Sequence, residues 1–136
     1  MKASLAAGVT STTKLQVDRE RTIDFMGEQA RVYATPMLLR DIEFACRNML
    51  LEHLDSGEDS VGTRVELDHI AATLLGMAVT LTVTIAEIKG RAVTLEIEGR
   101  DSVESICHGR HSRFVVDVKT TEARLAAKAK KAGLLA

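Results

Sequence analysis

Aromatic side chains are scarce in this chain: three Phe, one Tyr and no Trp make up 3% of its 136 residues. That scarcity removes the platforms on which single-stranded bases stack. Charge of one sign is missing as well. Eighteen Lys and Arg stand against nineteen Asp and Glu, and a net charge of −1 excludes bulk attraction to nucleic acid or an anionic membrane. Two cysteines, Cys46 and Cys107, are too few for a disulfide framework, and the opening MKASLAAGVTSTT lacks an apolar run long enough for export. A cytoplasmic protein with reduced thiols is therefore expected. The uncharged run at 70–86, IAATLLGMAVTLTVTIA, sits at the lower limit of a spanning helix and contains four Thr. From Val79 to Ile85 its apolar residues fall on every second position, which is the period of a strand. There is no Gly-rich phosphate loop, since VGT and LLGM hold only isolated glycines.

What remains is a chain with 46% hydrophobic and 27% charged residues, the balance of one globular domain with a core. Residues 1–13 read as loose, KLQVDRERT (14–22) as a weak first strand, and 24–34 as irregular. The single proline, Pro36, follows Thr35, a pairing that suits a helix start: Thr caps, and Pro needs no amide donor in the first turn. On the helix that follows, Leu38, Leu39, Ile42, Cys46, Met49, Leu50 and His53 share one broad face, with Arg40, Asp41, Arg47, Asn48 and Glu52 away from it. Asp55-Ser56-Gly57 ends it. After a loop EDSVG, TRVELDHIAAT alternates, with Val65, Leu67, His69 and Ala71 on one face. AVTLTVTIAEI and RAVTLEIEG form a hairpin across Lys89-Gly90, a further strand covers roughly 104–118, and residues 120–136 form a basic helical tail. One strand, one long apolar helix and four strands in succession predict a single α+β domain whose antiparallel sheet wraps the helix.

Three residues stand out on this layout. Glu43 lies at the margin of the apolar face, where pairing with Arg47 one turn on is the plain expectation. His69 takes a core-facing strand position that suits a valine. If the helix packs on that face, Glu43 and His69 can approach, and a carboxylate beside an imidazole makes a general base. Thr35 would ordinarily do no more than cap the helix. In CHGRH, Cys107 and His111 share one strand face and His108 the other; no second cluster completes a ligand set, so no metal is expected. The lysines and Arg124 of the tail read as a solvated face.

VYATPMLLRDIEFAC, SVGTRVELDHIAAT and GRHSRFVV, in this order and spacing, resemble the fluoroacetyl-CoA thioesterase-like branch of the hot-dog thioesterases, over about residues 14–125. The resemblance implies a long central helix wrapped by an antiparallel sheet, and homodimers that form one continuous larger sheet. It places catalytic Thr, Glu and His on Thr35, Glu43 and His69, and substrate-contacting residues on Gly62 and Arg113. DFMGEQARV (24–32) departs from the family, which carries segments covering the acyl pocket there, so only the reaction type and the acyl-CoA class carry over. Hydrolysis of a small acyl-CoA is expected, with no cofactor, no nucleic-acid partner and no membrane. The nucleophile stays open between Thr35, Glu43 and a water, with oxyanion donors expected at Met37 or Leu38 and Gly62. Eight helical residues separate Thr35 from Glu43, about 12 Å along the axis, so a site completed across a dimer interface is favoured. A hot-dog hydratase or dehydratase, or a non-catalytic acyl-CoA binding module, are the alternatives. Only hydrolysis liberates free CoA.

Overall fold

A computed structural model describes residues 1–134. Strand β1 (Thr10–Gln16) precedes helix α1 (Thr35–Leu51). Strands β2 (Glu58–His69), β3 (Ala78–Lys89), β4 (Ala92–Asp101) and β5 (Ser105–Asp117) follow, and helix α2 (Val118–Lys131) is the last element of the described residues; positions 135–136 of the expected tail lie outside them. The strands form one antiparallel sheet in the order β1-β3-β4-β5-β2. The expected hairpin is present: β3 and β4 meet at Gly90, whose φ of 59° is the left-handed turn conformation that glycine adopts without penalty.

Alternation explains how the sheet grips the helix. Val79, Leu81, Val83 and Ile85 of β3 and Val93, Leu95 and Ile97 of β4 are fully buried against Leu38, Ile42, Cys46 and Leu50 of α1. Each such aliphatic side chain contributes roughly 1.5–3 kcal/mol by leaving water. The Thr and Glu between them face outward on the opposite side of the sheet.

Four expectations need correcting. The N-terminal thirteen residues are not loose. The segment Thr10–Thr13, three of its four residues β-branched, pairs with β3, Leu5 is in the core, and the terminal ammonium bonds Asp55 and Glu58. The first strand accordingly ends at Gln16, and Arg19–Arg21 forms a 3₁₀ turn. EDSVG is not a loop but the start of β2; Ser60 is buried, and the strand bulges between Gly62 and Arg64.

Asp41, the fourth, does not face water. It is buried, accepting from Arg21 Nε (2.9 Å), Arg21 Nη2 (3.1 Å) and the Tyr33 hydroxyl. Arg21 and Tyr33 flank the segment 22–32, so this one carboxylate fastens that segment to α1. The cluster raises the Arg21 pKa above its ordinary value through the Asp41 hydrogen bonds, and burial raises that of Tyr33. Asp41→Ala strands the buried Tyr33 hydroxyl and leaves Arg21 paired with Asp18 alone, and is expected to cost about 3 kcal/mol in urea unfolding.

Candidate active site

The hydroxyl of Thr35 does not cap α1. The N-cap position belongs to Ala34, which makes no side-chain cap. Thr35 Oγ1 lies instead 2.8 Å from Nδ1 of His69, at the end of β2. Tyr33 meets the imidazole edge-on, with ring centroids 6.3 Å apart, which fixes the ring plane. His69 Nε2 is buried without a hydrogen-bond partner, with the Ala71 backbone beside the ring. Desolvation lowers the His69 pKa below its ordinary 6.5, and the Ala71 backbone offsets part of that. At neutral pH the ring is therefore uncharged. With the ring proton on the buried Nε2, Nδ1 presents its lone pair to the Thr35 hydroxyl. The pair opens into a cleft of about 330 Å³ with apolar walls that include Ile23, Phe25 and Ile70.

Glu43 occupies a second cleft, of about 410 Å³, with Arg40, Phe44, Gly62 and Arg113 on its walls. Its expected partner Arg47 is bound elsewhere, in a two-point pair with Asp59 at 3.0 and 2.7 Å. Glu43 is left half-exposed, its Oε1 3.9 Å from Nε2 of His111. Gly62 leaves room for the carboxylate: a Cβ there would stand 2.7 Å from Glu43 Oε1 and 3.1 Å from His111 Cε1, so Glu43 would have to move aside. Arg113 is buried beneath, its Nε and Nη2 donating to Ser60 Oγ and Ser60 O, both at 2.7 Å. No carboxylate pairs with it directly among the described residues, and desolvation pulls its pKa below the ordinary value.

The five expected site residues thus fall into two groups, Thr35 with His69 and Glu43 with Gly62 and Arg113, whose clefts share no lining residue. Within one chain, Glu43 and His69 are not brought together. The amides of Met37 and Leu38, expected as oxyanion donors, both donate to the Ala34 carbonyl at 3.0 and 2.9 Å.

Residues 17–119 match the family of fluoroacetyl-CoA-specific thioesterases. The chain belongs to that family. The fluoroacetyl-CoA thioesterase of Streptantibioticus cattleyicolor is 28% identical, over 92% of this chain and 95% of that one. A solved structure of fluoroacetyl-CoA thioesterase superposes with a TM-score of 0.83 at 27% identity, covering 91% of this chain and 97% of that one. A thioesterase superfamily member from Thermus thermophilus gives 0.85 at 25% identity, covering 93% and 95%. A substituted form of the fluoroacetyl-CoA-specific thioesterase, solved in complex with fluoroacetate and CoA, gives 0.79 at 27% identity, covering 86% and 99%. The hot-dog architecture and thioester hydrolase chemistry follow for this member of the family.

Sequence reasoning weighed His111 only as a metal ligand, yet it lies inside the Glu43 group, 1% exposed. A signal was available. On β5, His111 and Arg113 are in phase with Val115, so two polar residues point inward from a strand buried between two others. Cys107 and His111 do face inward and His108 outward, and among the described residues no three His, Cys, Asp or Glu side chains gather as metal ligands would. Burial pushes the Cys46 thiol up to about 12 and the Cys107 thiol to about 11, which leaves both unreactive at neutral pH.

Burial also lowers the His111 pKa, with Arg113 adding to the effect and the Arg64 backbone and Glu43 opposing it. A histidine with a depressed folded pKa binds its proton later than the unfolded chain does as pH falls. Between 6.5 and the folded value the unfolded state therefore holds more protons, and acidification through that window destabilises the fold. The expected slope is up to about 1.4 kcal/mol per pH unit for one such group. Melting temperatures recorded between pH 7 and 5 check this, and a His111→Gln chain should show the shallower decline.

Proposed function

We propose that the protein is a homodimeric acyl-CoA thioesterase acting on a short acyl group, with each site assembled from Thr35 and His69 of one subunit and Glu43, Gly62 and Arg113 of the other. The observation that carries this reading is the separation of the two groups within a single chain. Each is chemically incomplete alone: a nucleophile and base without a charge partner, and a carboxylate whose neighbouring imidazole, His111, is engaged at both nitrogens by Arg64 and Arg113.

Strand β2 supports the means of joining them. It is an outer strand of twelve residues, with no strand neighbour on one side among the described residues of its own chain. Val65 lies on the face that packs inward elsewhere, yet it is 39% exposed. A bare strand edge with apolar residues beside it is a pairing surface. When β2 pairs antiparallel with its own copy about a two-fold axis at Glu66, the bulge between Gly62 and Arg64 puts positions 62 and 69 on one face and equally far from that axis. Gly62 of one strand then stands opposite His69 of the other, about 5 Å away across the pair. The Glu43 cleft closes over the Thr35–His69 cleft.

In the resulting site His69 Nδ1 takes the proton of Thr35, whose oxygen attacks the thioester carbon. The C–S bond breaks, and CoA leaves with that proton as free thiol; with a thiol pKa of about 8.5, the leaving group needs little acid help. Water then attacks the Thr35 ester with His69 again as base, releasing the acid. Glu43 stabilises the imidazolium that forms in each step. The Arg113 guanidinium and the positive end of α1 stabilise the oxyanion in place of the occupied Met37 and Leu38 amides. The short acyl group is supported by the fluoroacetate and CoA held in the relative's complex.

The test is a panel of short and medium acyl-CoAs read with a thiol-reactive dye, with mass spectrometry of quenched enzyme to find an acyl group on Thr35. Thiol release that disappears in Thr35→Ala is expected. No release from any thioester, or an undiminished rate in that variant, would defeat the reading.

A further inference from the structure

The hydrogen-bond directions around His111 leave only one protonation state. Arg113 Nη1 lies 3.1 Å from His111 Nε2, and a guanidinium has donors only, so Nε2 must offer its lone pair. The carbonyl of Arg64 lies 2.9 Å from Nδ1 and can only accept, so Nδ1 carries the proton. A protonated ring would set N–H against N–H beside a buried cation. The imidazole is therefore neutral, with a fixed tautomer, although Glu43 lies 3.9 Å away.

The three elements it touches all serve the site. Arg64 closes the bulge that begins at Gly62, Arg113 is the buried cation, and Glu43 projects from α1 over both. We propose that His111 is a positioning residue: it fastens the guanidinium of Arg113 and the β2 bulge in one geometry beneath Glu43. This rests on the thioesterase reading above. A leucine fills the same space but leaves a guanidinium N–H and a carbonyl unpaired in a buried setting. Arg113 then keeps its two bonds to Ser60 but loses the third point that sets its rotation. A displacement of that order costs catalysis more than binding.

The experiment compares His111→Leu, His111→Gln, Arg113→Met and the Leu/Met double variant on the best acyl-CoA of the panel. Nitrogen NMR of the imidazoles in the wild-type chain accompanies it. His111→Leu is expected to lower kcat by roughly 10–100-fold with KM changed by less than about threefold. Glutamine, which can accept from Arg113 and donate to Arg64, should restore kcat to within about fivefold of wild type. The double variant should be hardly worse than Arg113→Met alone, because both changes disable one unit. The NMR spectrum should show a neutral ring with its proton on Nδ1 at pH 7. Additive losses, a near-normal rate in the leucine variant, or a ring protonated on Nε2 would each overturn the assignment. Should the leucine variant not fold, the glutamine variant and the NMR spectrum decide the matter. A wild-type chain that releases no thiol overturns the thioesterase reading instead, a result the NMR measurement distinguishes from failure of the His111 pairing.

Discussion

Co-expressing a Glu43→Gln chain with a His69→Ala chain should return roughly a quarter of wild-type activity, although either homodimer alone falls by about a thousandfold. In the mixed dimer one site receives an intact His69 from the first chain and an intact Glu43 from the second, while the other site receives both lesions. Random pairing makes about half of the dimers mixed, each with one working site of two, hence the quarter. Were Glu43 and His69 of the same chain to act together, every site in the mixture would carry one lesion and nothing would be recovered. Differently tagged chains, purified by both tags, sharpen the measurement. Glu43→Gln keeps the side-chain volume of a half-exposed residue, so its loss of rate should come with an unchanged melting temperature.

The second large effect concerns the outer strand. Val65→Lys should yield a folded monomer with less than about 1% of wild-type turnover. About a two-fold axis at Glu66, position 65 lies diagonally across from its own copy on the same face, so one substitution brings two ammonium groups near each other. The residue is 39% exposed in the isolated chain, so the fold itself should tolerate it. Sedimentation at micromolar concentration and the thiol-release rate are read on the same sample. A monomer with full activity removes the shared site; a dimer with full activity removes the proposed pairing of β2.

Much of the layout was legible from periodicity. The alternation from Val79 to Ile97 and the Lys89-Gly90 turn gave the hairpin, and Thr35-Pro36 marked the start of α1. The start of β2 was obscure for a physical reason. An outer strand need not alternate, and Glu58, Asp59 and Gly62 read as loop composition until their partners on β5 are known. Asp41 was misjudged because a helical wheel knows nothing of Arg21 and Tyr33, which arrive from an earlier, irregular segment and make its burial affordable in hydrogen bonds. At the site, resemblance and residue chemistry together singled out Thr35, Glu43 and His69. Periodicity alone could not tell that Thr35 gives its hydroxyl to an imidazole rather than to its own helix, nor that His111 turns inward to meet an arginine two residues on.

The uncapped start of α1 carries a consequence of its own. A serine or aspartate at position 34 would ordinarily steady the first turn by about 1 kcal/mol. Alanine there offers no oxygen to compete for the Thr35 hydroxyl, which bonds His69 instead. The helix forgoes that side-chain cap, and the hydroxyl nearest its start goes to the imidazole instead of to the scaffold.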